Sequence, residues 1–188
     1  HVAQQIANDA GIEARFVVGD VYDAPAKLGQ TFDVVYTGVG ALCWLPDIQP
    51  WADVVAALLR PGGQLYLFEF HPVEWMLESN RSEGLELRFD YFTPKEGFRE
   101  GGAVSYADAG AEDQDQPTVQ WNHPLGEVVT ALAKAGLVVE ELRELDRSVL
   151  ERWRDMEKLA DGMFRPLRAP NLPLMYVLQA RLRPEQGK

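Results

Sequence analysis

The stretch at residues 58–72, LLRPGGQLYLFEFHP, constrains the fold more than any other part of the chain. It reads as an apolar helix end, a Pro-Gly-Gly turn and a strongly apolar strand. Pro61 disfavours helical geometry at Arg60 and stops the helix there. Gly62 and Gly63 take positive φ at little cost, so the chain can reverse. Leu65, Tyr66, Leu67, Phe68 and Phe70 then form a near-continuous apolar run, the pattern of a strand covered on both faces. The polar cluster Glu69-Phe70-His71-Pro72 closes it at the carboxyl end, where open α/β sheets place their ligands.

The totals bound what such a sheet can serve. The 188 residues suit one domain, spanning 1–188, with enough apolar content (46%) to bury a core. With 18 basic against 29 acidic residues the net charge is −11, which repels phosphate backbones and argues against a nucleic-acid partner. Cys43 is the only cysteine, so no intrachain disulfide framework exists and a reducing compartment fits. No apolar run approaches the ~20 residues needed to span a bilayer. With no signal peptide either, no membrane partner is expected and the cytoplasm is the default. The histidines and the cysteine lie at no recognised ligand spacing, so no metal is expected.

Along the chain, Val2, Ala3, Ile6, Ala7 and Ala10 recur at helical spacing and Gly11 ends the helix. Nothing caps this helix at its start. The abrupt opening predicts an amino-terminal portion missing from the sequence; a short natural chain with a frayed first helix is the alternative. Residues 14–18, ARFVV, read as a strand ending at Gly19-Asp20. Residues 21–30 read as loop with one helical turn, and 32–36 as the next strand. Pro46-Asp47 opens a helix whose Trp51, Val54, Val55, Leu58 and Leu59 form one apolar stripe. Strand, helix and strand in this order imply a parallel pair.

Past His71 the pattern loosens. Residues 73–77 suit a helical turn, 85–91 an exposed strand with 101–106 as its partner, and 107–117 an acidic mobile loop. Residues 119–122 suit a short strand, 124–135 a helix ended by Gly136, and 137–142 a strand. Residues 148–159 have a helical rhythm in Val149, Trp153 and Met156, suggesting a surface helix or lid. Residues 174–182 close the chain as a last strand.

Three motifs in this order resemble the class I S-adenosylmethionine-dependent methyltransferases: RFVVGDVYDAP at 15–25, FDVVYTGVGALCWLPD at 32–47 and LLRPGGQLYLFEFHP at 58–72. The resemblance places them on the third, fourth and fifth strands of a seven-stranded sheet. The later WNHPLGEVVTALAKAGL and LPLMYVLQARL are similar to that family's final helix and terminal antiparallel hairpin. It implies a Rossmann-like, mostly parallel α/β sheet flanked by helices, with the first strands missing and a lid-like insertion at about 73–120. The family's glycine-rich loop and the acidic residue ending its second strand have no counterpart here. A sheet without its central strand exposes bonding edges and apolar faces. Either the chain is a fragment, or it pairs with another chain, for which a homodimer is the simplest form.

The resemblance implies S-adenosyl-L-methionine as cofactor. Asp20 would accept a hydrogen bond from the adenine amino group with Val21 beside the ring; a loop-capping aspartate is the plainer alternative. Thr37 and Gly38 end a strand where small side chains let cofactor and substrate approach, or simply make a turn. Trp44 and Trp121 are substrate-side candidates, although an aromatic beside a helix start is often core. His71 and His123 are catalytic candidates, since an imidazole suits proton removal from a methyl acceptor; a hydrogen-bonded loop histidine is the competing account of each. Methyl transfer needs little beyond alignment, so the absence of an obvious catalytic dyad does not count against it. The expected function is methyl transfer to a small-molecule oxygen, nitrogen or carbon nucleophile. The alternatives are a non-catalytic binding or dimerisation module and, last, a nicotinamide-dependent enzyme, disfavoured because no G-x-G-x-x-G is present.

Overall fold

The computed structural model describes residues 2–78, 86–100, 117–153, 155–168 and 170–184. Helix α1 (Val2–Asp9) ends before Gly11, which takes φ 65°, but Ala7 is its one buried residue. A 3-10 turn, Val21–Asp23, runs into the short α2 (Ala24–Leu28), and β1 (Phe32–Thr37) follows. Helix α3 (Ile48–Leu58) starts at Asp47, whose carboxylate accepts the Gln49 N–H at 2.9 Å. That bond satisfies one of the donors that a first helical turn leaves open. The expected apolar stripe is buried, with Trp51, Val54, Val55 and Leu58 all facing inward.

Strand β2 (Leu59–Phe70) is the axis of the main sheet. It pairs parallel with β1 on one side and antiparallel with the last strand, β8 (Met175–Leu182), on the other. Beyond β8 lies β5 (Leu137–Leu145), also antiparallel, so the order is β1-β2-β8-β5. The sheet is therefore mixed: the strand–helix–strand unit supplies its parallel pair and the C-terminal hairpin its antiparallel half. Between β2 and β5 stand β3 (Phe98–Glu100), its antiparallel partner β4 (Thr118–Gln120) and α4 (Leu125–Lys134). Between β5 and β8, β6 (Met156–Lys158) pairs with β7 (Phe164–Pro166).

The core sits on one face of the sheet. Leu65 and Leu67 of β2 and Tyr176, Leu178 and Ala180 of β8 pack against Trp51 and Val55 of α3 and Val128 and Leu132 of α4. On the opposite face Val34 and Tyr36 stay exposed, Tyr36 stacking on Tyr66 with ring centroids 6.1 Å apart. Burial along β2 therefore alternates, and the strand is not covered equally on both faces.

Four further sequence expectations change. Residues 14–18 form no strand: they run irregularly, with Val18 97% exposed. β-Propensity records fit to a neighbouring pleated surface, and β1 pairs with β2 alone among the described residues. The Pro-Gly-Gly segment does not precede the strand but lies within it. Phe32 pairs with Leu59 and Val34 with Gln64, so the extra residues bulge out at Gly62, φ 79°. Of residues 86–91, Leu87 alone makes a bridge, to Leu77; residue 85, the expected partner at 101–106 and residues 107–116 of the acidic loop lie outside the described residues. The described residues of 148–159 are not helical. Ser148 exchanges backbone hydrogen bonds of 2.8 Å with Phe164 in both directions. Trp153 and Met156 bury against Leu77 and Leu174 in a second small core, so tertiary packing overrides the helical spacing.

Candidate functional site

β1 and β2 run parallel, so their carboxyl ends, at Thr37 and Phe70, lie at the same edge of the sheet. From Thr37 the chain turns through Gly38 and Gly40, at φ 73°, into the 3-10 turn Leu42–Trp44. A side chain at Gly40 would also meet the Phe70 ring, its Cβ lying 3.6 Å away. One carboxylate fixes this loop. Glu69 Oε1 accepts the Gly40 N–H at 2.6 Å, and Oε2 accepts those of Ala41 and Leu42 at 2.9 and 3.1 Å. The Phe70 N–H donates to Oε1 as well, at 2.7 Å. Burial raises the Glu69 carboxyl above its ordinary range, against the opposing pull of these four donors.

Behind the loop the surroundings are apolar and tight. Burial first, then the neighbouring Glu69, pushes the Cys43 thiol up to about 12, which keeps it protonated and unreactive. Glu74 is fully buried, and that burial raises its carboxyl to about 7 although Arg152 pulls the other way. Arg152 Nε stands 2.9 Å from Glu74 Oε1 without hydrogen-bond alignment, so the contact is one of charge. Its guanidinium also lies 5.5 Å from the ring centres of Phe70 and Trp75.

Two clefts open at this end. A small one of about 10 Å³, room for about one water, lies among Cys43, Glu69, Phe70, Trp75 and Tyr176. A larger one of about 420 Å³ is bounded by Asp47, Thr93, Lys95 and Glu127. Trp121, Asn122 and His123 line both. Trp121 is held by its indole N–H, which donates to Lys95 O at 3.0 Å, and by its backbone N–H, which donates to Cys43 O at 2.9 Å. His123 Nε2 lies 2.8 Å from the Leu45 carbonyl oxygen and so must donate to it. Its Nδ1 lies 3.3 Å from Glu127 Oε2, so both ring nitrogens face oxygens that accept.

The remaining candidates fall into two groups. Asp20 Oδ1 accepts the Tyr22 N–H at 2.9 Å, capping the 3-10 turn. The Tyr22 hydroxyl donates to Asp47 O at 3.0 Å and ties this turn to the start of α3, but neither Asp20 nor the exposed Val21 lines either cleft. Trp44 is exposed at the end of the loop that Glu69 holds. His71 is placed differently: it is 3% exposed and lines neither cleft. Its Nδ1 accepts the Val73 N–H at 3.0 Å and its Nε2 lies 2.9 Å from Glu144 Oε1. Burial lowers its pKa, with Glu144 opposing. Sequence reasoning missed Asn122 and the roles of Glu69 and Glu74. The signal for Glu69 was present, as a lone carboxylate inside an apolar strand.

The sequence matches no protein-family model and no curated protein. The fold does match solved structures. A methyltransferase from Clostridium acetobutylicum, described as S-adenosylmethionine-dependent, aligns over 96% of this chain and 70% of its own length, with 10% identity and a TM-score of 0.58. One from Methanosarcina mazei aligns over 92% of this chain and 69% of its own, with 17% identity and a TM-score of 0.52. The [4+2]-cyclase SpnF aligns over 97% of this chain and 61% of its own, with 15% identity and a TM-score of 0.50. The chain thus spans less than two thirds of SpnF, and 62% of a further methyltransferase structure from Mesorhizobium loti. At these identities the likeness is one of architecture: the chain has the fold of the class I S-adenosylmethionine-dependent methyltransferases.

Proposed function

We propose that this chain acts in S-adenosyl-L-methionine-dependent methyl transfer to a small-molecule oxygen, nitrogen or carbon nucleophile. The observation that carries the reading is the double cleft at the carboxyl ends of β1 and β2, beside a loop clasped by Glu69. Ligands of open α/β sheets sit at that edge. For the adenine end of the cofactor the chain offers an exposed carboxylate at Asp20, held through one oxygen, and exposed apolar surface at Val21 and Trp44. Thr37 and Gly38 stand where β1 ends and would be the point at which cofactor and substrate approach the backbone. The residues of this chain supply no glycine-rich loop for the methionine end.

When bound, the cofactor supplies a methyl group already activated on a sulfonium. The protein's work is then alignment and water exclusion. Trp121 walls the acceptor side, fixed through both of its N–H groups. His123 is the candidate proton acceptor because it lines both clefts: from the neutral ring Nδ1 would take the proton released by the acceptor, and Glu127, 3.3 Å away, would steady the resulting charge. His71 lines neither cleft and supports the strand end. Thr93, Pro94 and Lys95, from the insertion at about 73–120, would cover the acceptor; the chain would be a single domain of the cytoplasm, with neither nucleic acid nor membrane as its partner. No helix among the described residues is long and apolar enough to cross a membrane.

Calorimetric titration with S-adenosylhomocysteine, run beside a measurement of oligomeric mass, tests the reading. Micromolar binding, lowered about tenfold or more in Asp20→Ala, supports it. Absence of binding by a folded chain refutes it and favours the second reading, a non-catalytic binding or dimerisation module, for which the exposed Val34 and Tyr36 on β1 speak.

A further inference from the structure

Three residues of the stretch 90–97, Thr93, Pro94 and Lys95, line the larger cleft together with Asp47 and Glu127. This stretch has no apolar anchor. None of the residues 86–99 is buried, and none belongs to either core. Its two ends are nevertheless held. The N–H groups of Arg88 and Phe89 donate to Met76 O at 2.8 and 3.2 Å, and Phe98 pairs with Gln120. At Gly97, φ 71°, an added Cβ would lie 2.7 Å from Val119 Cγ1 and 2.8 Å from Gln120 O. Only glycine lets the chain turn this close to β4.

Between those ends, three hydrogen bonds tie the stretch to the rest of the chain among the described residues. The Asn122 N–H donates to Thr93 Oγ1 at 2.8 Å, Asn122 Nδ2 to Tyr91 O at 3.2 Å, and the Trp121 indole N–H to Lys95 O at 3.0 Å. Asn122 Nδ2 also donates to Pro72 O at 2.9 Å, just past the end of β2. One amide thus joins the sheet to the stretch beside the cleft, and at 4% exposure it does so away from water. Both of its carbonyl partners only accept, so the joint requires a side chain with two donor hydrogens. A segment fixed at its ends, without buried apolar surface and held between by a few polar bonds, is the kind that opens locally at low cost.

We propose that residues 90–97 are a flap over the larger cleft and that Asn122 is the latch that holds it shut. Opening breaks the bonds to Tyr91 and Thr93, leaves the bond to Pro72 in place, and widens the cleft where Thr93, Pro94 and Lys95 line it. That the molecule admitted there is a methyl acceptor rests on the methyltransferase reading; the latch does not.

Trypsin tests it on the whole chain without ligand, because its site after Lys95 lies within the flap. When the flap recloses faster than it is cut, cleavage there follows the population of the open form. Arg143, in β5, is the comparison site, since cutting there requires the sheet to open. Asn122→Asp leaves a carboxylate facing two carbonyl oxygens, and should raise the initial rate of cleavage after Lys95 about tenfold or more. Thr93→Val removes only the acceptor of the Asn122 N–H at a half-buried position, and should raise it severalfold. It also keeps the test decisive if Asn122→Asp does not fold. Neither variant should change cleavage after Arg143, with fragments assigned by mass spectrometry. An unchanged rate after Lys95, or an equal rise at both sites, overturns the latch, the second by making Asn122 a support of the whole fold. Calorimetry with S-adenosylhomocysteine tests the methyltransferase reading separately, so either claim can fail while the other stands.

Discussion

Glu69 shapes the site through a single side chain. Three successive backbone N–H groups converge on its two oxygens, so the course of the chain from Gly40 to Leu42 is set by a residue of the adjacent strand. Glu69→Gln keeps the length but replaces one oxygen with a donor that faces other donors. It should cost about 1–3 kcal/mol, read as a lower urea midpoint, and should weaken S-adenosylhomocysteine binding too; an unchanged midpoint would mean that the loop holds itself. Glu74 makes a pH-dependent contribution. Its folded carboxyl titrates at about 7, above the ordinary 4.5, mainly because it is buried. Between those values the folded chain holds a proton that the unfolded chain has released, so this contribution is complete below about pH 4.5 and is lost as pH rises through about 7. Relative to Glu74→Gln, which does not titrate there, the wild type should lose on the order of 3 kcal/mol across that window. His71 works in the opposite sense, its lowered pKa withdrawing stability as pH falls, and it is common to both chains and cancels in the difference. Urea denaturation of the two chains from about pH 5 to about pH 8 checks the sign, and a flat difference would refute it.

At the scale of elements, β2 shows which parts of the fold were legible in the sequence. Its apolar run, the stripe of α3 and the glycine ending α4 each report a local pattern serving a local structure, and all three are present. What failed depended on neighbours. Residues 14–18 have strand composition, but a strand exists only beside another strand. Residues 148–159 have helical spacing, yet Trp153 and Met156 find their burial against Leu77 and Leu174 instead. The site divided in the same way. Trp121 and His123 could be read from a turn beside a helix start, and the cleft they line together was readable as an edge of the sheet. The joint that Asn122 makes could not, because it follows from where Pro72 and Tyr91 put their carbonyls. The Pro-Gly-Gly segment was recognised as a reversal and proved to be a bulge, and its two glycines should differ. An alanine Cβ at Gly63 would lie 2.9 Å from Arg60 O and 3.1 Å from Asp33 O, backbone atoms of the bulge and of β1. At Gly62 nothing lies within 4 Å, and only its φ of 79° resists. Gly62→Ala should therefore cost about 1 kcal/mol and Gly63→Ala more, about 2–3 kcal/mol, by urea denaturation. The reverse order would place the strain in the backbone angle and not in the contact.

At the scale of the molecule, the sheet is lopsided. Helices α3 and α4 seal one face, while β1 turns Val34 and Tyr36 outward on the other and pairs along one edge only among the described residues. Exposed strand edges with apolar side chains recruit further strands unless charge prevents it, and here Asp33 is already taken by Arg60 at 2.8 Å. A net charge of −11 keeps molecules apart at long range, but salt removes that protection within about 10 Å at 0.1 M. Self-association through β1 should therefore strengthen as salt is added, opposite to what an assembly held by charge pairs would do. Sedimentation at low and moderate salt reads this directly. The double substitution Val34→Lys and Tyr36→Lys should abolish the association and leave monomer stability within about 0.5 kcal/mol, because both side chains are more than half exposed. A large loss of stability in the double variant would show instead that this face is covered in solution by the chain itself. Association that weakens with salt would move the contact from the apolar edge to the charged surface.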